Sequence, residues 1–306
     1  MRLLFTKLFT TAVVLFAGTS AMAVPVTLDF MRATVFSLNT VTVDQNTGKY
    51  YERRGFQGEQ GYNVYADRAA FEAGTVEQTI TLNTPGYYGF YHTVRDGKIF
   101  GRTTAQTGHY GRWDLASGNL DATTFYNQYN PLNGHGTFDL AGFTSMNTIS
   151  NTNTTYVMGR ENGGNDWRVE RIDANLNSTF VGSVTGPFGA GGNPGFGFII
   201  GDNLFLGDTS LGNQISTRYN LVTGVQSVVD FTFQGAFGSS PFWLSMVYDH
   251  LSDTLVAWDN DSRSYYQLRG AAGIFGVTAM VSEPRVLTLA LLGVCALVLV
   301  GRRRAV

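Results

Sequence analysis

An all-β body of repeated four-stranded units, β-propeller-like with about five blades, is what this 306-residue chain predicts. Three observations lead there. A strand–turn pattern recurs near every fifty residues, and the composition joins 37 glycines, 22 phenylalanines and 15 tyrosines to only 14% charged residues. The prolines avoid the interiors of the repeats. A β-sandwich or jelly roll is the alternative, since its strands also recur at short intervals, about every 8–12 residues.

The repeat is read from two recurring signatures. Short apolar segments precede polar turns at Tyr50-Tyr51, Ile99-Phe100, Tyr156-Val157-Met158, Leu204-Phe205-Leu206 and Leu255-Val256, with first residues 49, 57, 48 and 51 apart. A second set follows each: Tyr65-Ala66-Asp67, Trp113-Asp114-Leu115, Ile172-Asp173-Ala174, Tyr219-Asn220-Leu221 and Tyr266-Gln267-Leu268. Glycine turns close the clearer copies at Gly118 and Gly224, and further β-rich runs occupy Thr75–Leu82, Ala122–Tyr126, Ser178–Val184 and Val225–Phe233. One such unit cannot bury both of its faces, whereas neighbours in a ring cover each other.

Pro85, Pro131, Pro187, Pro194 and Pro241 all fall between successive units, where a residue without an N–H does not interrupt a ladder. The long interval is explained by an insertion at Asn127–Thr137 in one of these connections. In the last unit, Ala271–Val281 either forms the outer strand or serves as a tether. In the second case Val26–Phe30 is free to supply the missing strand and tie the two ends of the body together.

The connections Asn83–Tyr88, Asn127–Thr137, Gly186–Gly197 and Gln234–Pro241 share a phase and would share one face. Loops on a rigid scaffold are the usual place for ligand contacts. Tyr87, Tyr88, Tyr129, Phe188, Phe196, Phe237, Phe242 and Trp243 are the candidate rings for stacking on a carbohydrate or other surface polymer. The same rings can instead pack beneath their own loops or within adjoining strands.

The two ends read as addresses. Arg2 and Lys7 precede the largely apolar Leu8–Gly18, and Ala21-Met22-Ala23 places small residues where a signal peptidase inspects them, so that the mature chain starts at Val24. At the other end, Ser282-Glu283-Pro284 is followed by Val286–Val300, fifteen residues without charge, and then by Arg302, Arg303 and Arg304. As a helix that apolar stretch is about 22 Å long, a short span for a bilayer unless flanking arginines snorkel. The positive-inside tendency would leave the body on the outer side.

This tail resembles the PEP-CTERM sorting signal: a Pro-Glu-Pro motif, a hydrophobic helix and a basic terminus. The match covers roughly residues 282–306, with Ser282 where the family has proline. The resemblance implies an exported protein, recognised by a membrane-embedded exosortase and often associated with exopolysaccharide or biofilm. The organisation expected is therefore a signal peptide at 1–23, a body at 24–281 and a sorting tail at 282–306 with a transmembrane helix at about 286–300.

Charge and chemistry narrow the function classes. The body carries 15 basic and 22 acidic side chains, a net charge of −7 without a basic stripe, which argues against nucleic acid as a partner. The single cysteine, Cys295, lies in the apolar tail, so the body has no disulfide and no thiolate chemistry. His92, His109, His135 and His250 fall in different repeats without zinc-ligand spacing. Asp44–Gly48 and Asp259–Asp261 read as hairpin turns, since neither has the twelve-residue calcium pattern. Gly189–Gly195 lacks the Lys-Ser/Thr of a phosphate loop. No catalytic residue, metal or cofactor is nominated. The expected function is a binding or structural module at the cell surface or in the matrix. The alternative is a secreted glycosidase or lyase acting on polysaccharide.

Overall fold

The computed structural model describes residues 23–34, 39–53, 61–83, 92–103, 109–128, 147–150, 154–160, 166–185, 194–208, 213–237 and 243–277. The described residues are all-β and in part propeller- or barrel-like, with two short helices among them. A first strand, β1 (Val24–Ala33), is followed by five units. Unit 1 holds β2 (Thr40–Val43), β3 (Tyr50–Arg53), β4 (Gly61–Tyr65), helix α1 (Arg68–Ala73) and β5 (Gln78–Thr81). Unit 2 holds β6 (Thr93–Arg95), β7 (Lys98–Arg102), β8 (His109–Asp114) and β9 (Leu120–Phe125). Unit 3 holds β10 (Asn147–Ser150), β11 (Thr155–Arg160), β12 (Trp167–Ile172) and β13 (Ser178–Val184). Unit 4 holds β14 (Pro194–Ile200), β15 (Asn203–Asp208), β16 (Gln214–Asn220) and β17 (Gln226–Gly235). Unit 5 holds β18 (Trp243–Asp249), β19 (Thr254–Asp259) and β20 (Ser264–Arg269), after which comes α2 (Ala271–Ile274).

Within each unit, neighbours in sequence pair antiparallel, which is a meander and not the Greek-key order of a jelly roll. The first strands lie side by side in succession: β2 against β6, β6 against β10, β10 against β14, β14 against β18, and β18 against β2. The turns follow from local chemistry. Asp44 accepts from the Asn46 N–H, Asp114 from Ser117 and Asn220 from Thr223, and each turn ends in a left-handed glycine: Gly48, Gly118 and Gly224. A short acceptor followed by a residue free of the Cβ penalty is what such a turn requires.

Unit 5 has three strands of its own, and β1 is the fourth. Residues Asp29–Ala33 pair antiparallel with β20, while Val24–Leu28 pair parallel with β17 of unit 4. Units 4 and 5 thereby join into one eight-stranded sheet in which β1 is an interior strand. Of the two routes open at the last repeat, the N-terminal strand is the one taken. Ala271–Ile274 is helical, with Phe275 packed against Phe198, Phe205 and Phe231.

Apolar side chains gather between units. Tyr51, Tyr62 and Val64 of unit 1 meet Ile99 and Trp113 of unit 2; Phe100 and Tyr110 of unit 2 meet Val157 and Ile172 of unit 3. Met158 and Trp167 meet Leu204 and Leu206; Phe198 and Phe205 share a cluster with Trp243 and Leu255; Trp258 and Tyr265 share one with Val43 and Tyr50. Strands such as β19 are therefore covered on both faces and read as apolar runs, whereas β9 and β16 alternate.

Helix α1 comes just before the β-rich run expected at Thr75–Leu82, of which Gln78–Thr81 is extended. Asp67 caps it by accepting from the Ala70 N–H at 2.8 Å, and Gly74 ends it in the left-handed region. Its one buried side chain, Phe71, stacks 5.0 Å from Tyr50 and meets Tyr65 and Tyr265 edge-on. No helix among the described residues is long and apolar enough to cross a membrane, and the stretch at 286–300 lies outside them.

Candidate functional site

The hairpins joining first to second strands come together on one face. Asn46 donates to Asp96 at 2.8 Å, and the ideal Cβ direction of Gly48 points at Leu251. The turns joining third to fourth strands lean on the same hairpins: the Leu115 N–H donates to the Gly97 carbonyl and the Leu221 N–H to the Asp202 carbonyl. This is the turn face. The opposite ends of the strands, marked by the β19–β20 turn where Asp259 pairs with Ser264, are the loop face.

Of the candidate stacking rings, Tyr87, Tyr88, Tyr129, Phe188 and Phe242 lie outside the described residues. Trp243 is only 1% exposed, with Phe237 at 5.1 Å, Tyr266 at 6.0 Å and Phe233 at 6.2 Å between ring centroids. Phe196 is buried over Gly207, and Phe237 is half-buried between Trp243 and Tyr266. These three rings pack in the core between units 4 and 5. Ala23 directly precedes β1; Ala21, Ser282, Glu283, Pro284, Arg302, Arg303 and Arg304 lie outside the described residues.

The second strands of the five units end, at the loop face, in Arg53, Arg102, Arg160, Asp208 and Asp259. Arg53 is buried beside His92, whose ring meets Tyr62 edge-on at 5.1 Å. Burial, and secondarily the Arg53 charge, hold the His92 imidazole well below its usual range, so it is neutral at pH 7. Burial lowers the Arg102 pKa to about 10. Asp259 is fully buried and caps its own turn by accepting from the Asp261 and Ser262 N–H groups. Among the described residues no three His, Cys, Asp or Glu side chains gather as metal ligands would.

The densest polar cluster lies where unit 1 meets unit 5. The Glu52 carboxylate accepts from Arg32 at 3.0 Å, Tyr265 at 2.9 Å, Asn39 at 3.3 Å and the Tyr65 hydroxyl. The Arg32 guanidinium lies over Phe71 at 4.5 Å and Tyr265 at 4.8 Å. Burial, then the Glu52 charge, push both tyrosines up, so they stay protonated and donate. With three donors on Oε1, one on Oε2 and only 2% exposure, the Glu52 carboxylate ties β1, unit 1 and unit 5 together.

The seam extends beyond Glu52. Tyr50 donates to Asp249 at 2.7 Å, Gln45 donates to the Tyr248 carbonyl at 2.7 Å and bonds the His250 ring at 2.7 Å, and Gln267 donates to Glu72 at 2.8 Å. Sequence reading took Tyr50 and Gln267 as repeat markers and Gln45 as part of a turn, and did not bring them together with Glu52, Glu72 and Asp249. The available signal was Glu52, a charge at the position where the other second strands have Gly101, Gly159, Gly207 and Trp258.

No family model matches the chain and no curated protein matches it. Among solved structures it is similar to the glutaminyl cyclase of Myxococcus xanthus, with 12% identity and a TM-score of 0.46 over 80% of this chain and 97% of that one. It is also similar to an auxiliary nutrient binding protein of Bacteroides thetaiotaomicron, with 11% identity and a TM-score of 0.40 over 74% of this chain; there it spans 58% of the other protein. Neither likeness is strong enough to bring an activity to this chain.

Proposed function

We propose that this chain is an exported, non-enzymatic surface or matrix protein: a five-bladed β-propeller between a cleaved leader and a PEP-CTERM-like sorting tail handled by an exosortase-type enzyme. The observation that supports it most is the placement of β1. Its first residue, Val24, directly follows the Ala21-Met22-Ala23 expected to be cut, and its pairing with β17 and β20 uses the new N-terminus as structure. The body's last described residue, Val277, comes five positions before Ser282. Address segments thus flank a body whose strands run from Val24 to Arg269.

The role of the body is to bind a surface polymer, with exopolysaccharide the favoured class and Tyr87, Tyr88, Tyr129, Phe188 and Phe242 the rings offered by its connecting loops. Mass spectrometry of the protein from the surface of its source cells tests the sorting. A chain beginning at Val24 and lacking the apolar tail is expected, and a surface chain still beginning at Met1 would refute it. Polysaccharide pull-down by residues 24–281 tests the binding. Loss on replacing the five rings by alanine is expected, and unchanged retention removes them from the role.

A further inference from the structure

We infer that the turn face lies against the bilayer while the chain is held by its tail, and that the loop face points away from it. The inference deepens the reading above and rests on the tail at 286–300 being membrane-inserted.

Strand β20 runs from the loop face, where Ser264 pairs with Asp259, to the turn face, where Arg269 pairs with Thr254. The chain does not turn back from there. The Gly270 N–H donates to the Asp253 carbonyl and the Ala272 N–H to the Asp253 side chain, so α2 is fastened to the unit 5 hairpin. Phe275 then enters the core between units 4 and 5, and Val277 lies beside Gly201, in the unit 4 hairpin. The chain therefore leaves the body at the turn face, below units 4 and 5. Eight residues, 278–285, separate Val277 from the apolar stretch. Fully extended they reach at most about 28 Å, so an anchored body cannot swing far from the surface.

The exposed side chains sort the same way. Val222 (73% exposed), Val225 (62%) and Val228 (74%) in unit 4, and Leu251 (47%) and Ile274 (41%) in unit 5, are large apolar groups at or near the turn face, against Val76 (43%) in unit 1. Exposed acidic groups of that face, Asp67, Asp96 and Asp173, with Glu77 paired to Lys49, belong to units 1, 2 and 3. Apolar groups gain by entering the lipid interface, while carboxylates are repelled by anionic headgroups. The body accordingly tilts, with units 4 and 5 nearest the lipid.

Full-length chain with Cys295→Ala, reconstituted in phosphatidylcholine–phosphatidylglycerol vesicles carrying an acceptor dye in the lipid, provides the test. A donor dye is placed by Val222→Cys on the turn face or by Asp261→Cys on the loop face. These faces are about 17 Å apart along the six residues of β20. Strong transfer from position 222 and several-fold weaker transfer from 261 is expected. Val225→Glu with Ile274→Glu should reduce the transfer from 222 while the protein still floats with the vesicles. Flotation with equal transfer, or more from 261, overturns the orientation and spares the anchor. Failure to float overturns the anchor and the orientation together.

Discussion

Arg32, near the end of the first strand, donates to Glu52 of unit 1 at 3.0 Å while its guanidinium face lies over Phe71 and Tyr265. One side chain thus links the N-terminal strand, the first unit, its helix and the last unit. Burial works most strongly against the Arg32 charge, and Glu52, Tyr265 and Tyr65 together more than offset it, holding the guanidinium above its ordinary range.

Arg32→Ala should therefore cost about 3–5 kcal/mol, because it leaves the buried Glu52 carboxylate without its countercharge. Arg32→Ala combined with Glu52→Gln should recover part of that loss, since the neutral amide is cheaper to bury. Urea denaturation of the two variants measures both. A loss below about 1 kcal/mol for the single variant would show that the pair does not hold the seam.

Leu28, buried near the middle of β1, should behave as a core residue of the whole fold. Leu28→Ala is expected to cost about 2–5 kcal/mol, and Thr27→Pro about 3 kcal/mol or more, as proline removes a donor from an interior strand. Both should shift a single cooperative transition. A separate early transition for units 4 and 5 would mean that β1 is not integral to the ring.

Two left-handed glycines offer a matched comparison. Gly74 and Gly118 have φ of 70° and 72°, but a Cβ at Gly74 meets nothing within 4 Å, whereas at Gly118 it would fall 2.2 Å from the Thr81 carbonyl oxygen. Gly74→Ala should cost about 1 kcal/mol, the conformational term alone. Gly118→Ala should cost clearly more, with thermal unfolding as the readout. Equal losses would remove the packing between the unit 2 turn and the end of β5.

Acid should weaken the fold before the carboxylates titrate. His92 and His250 both have lowered pKa values, from burial first. Below the unfolded-state value of about 6.5, the unfolded chain binds protons that the folded chain refuses, so their contribution is present above that pH and fades as pH falls. For His92 the slope is about 1.4 kcal/mol per pH unit below 6.5. Denaturation midpoints from pH 7.5 to 5 should fall, and His92→Gln should flatten the fall. An unchanged slope in that variant would take His92 out of the linkage.

The repeat and its phase were legible because each turn is built by its own few residues, as Asp114, Ser117 and Gly118 show, whereas Pro194, expected in a connection, is the first residue of β14. The apolar pairs of the second strands were legible because every unit must bury them against a neighbour. Helix α1 was not, since its anchor, Phe71, gains only from rings at positions 50, 65 and 265. The Glu52 hub was hidden for the same reason: its donors stand 13 to 213 positions away. Trp243, placed by order alone beside a loop, lies in the core because β18 is sandwiched between neighbouring sheets.

Sequence by itself determined the all-β character and the unit length, because composition and turn chemistry act over a few residues. Tertiary structure decided which strand completes unit 5, which charges meet in the seam and on which face the chain departs. Those are contacts between residues up to two hundred positions apart, and only the packing of one unit on the next brings them within bonding distance.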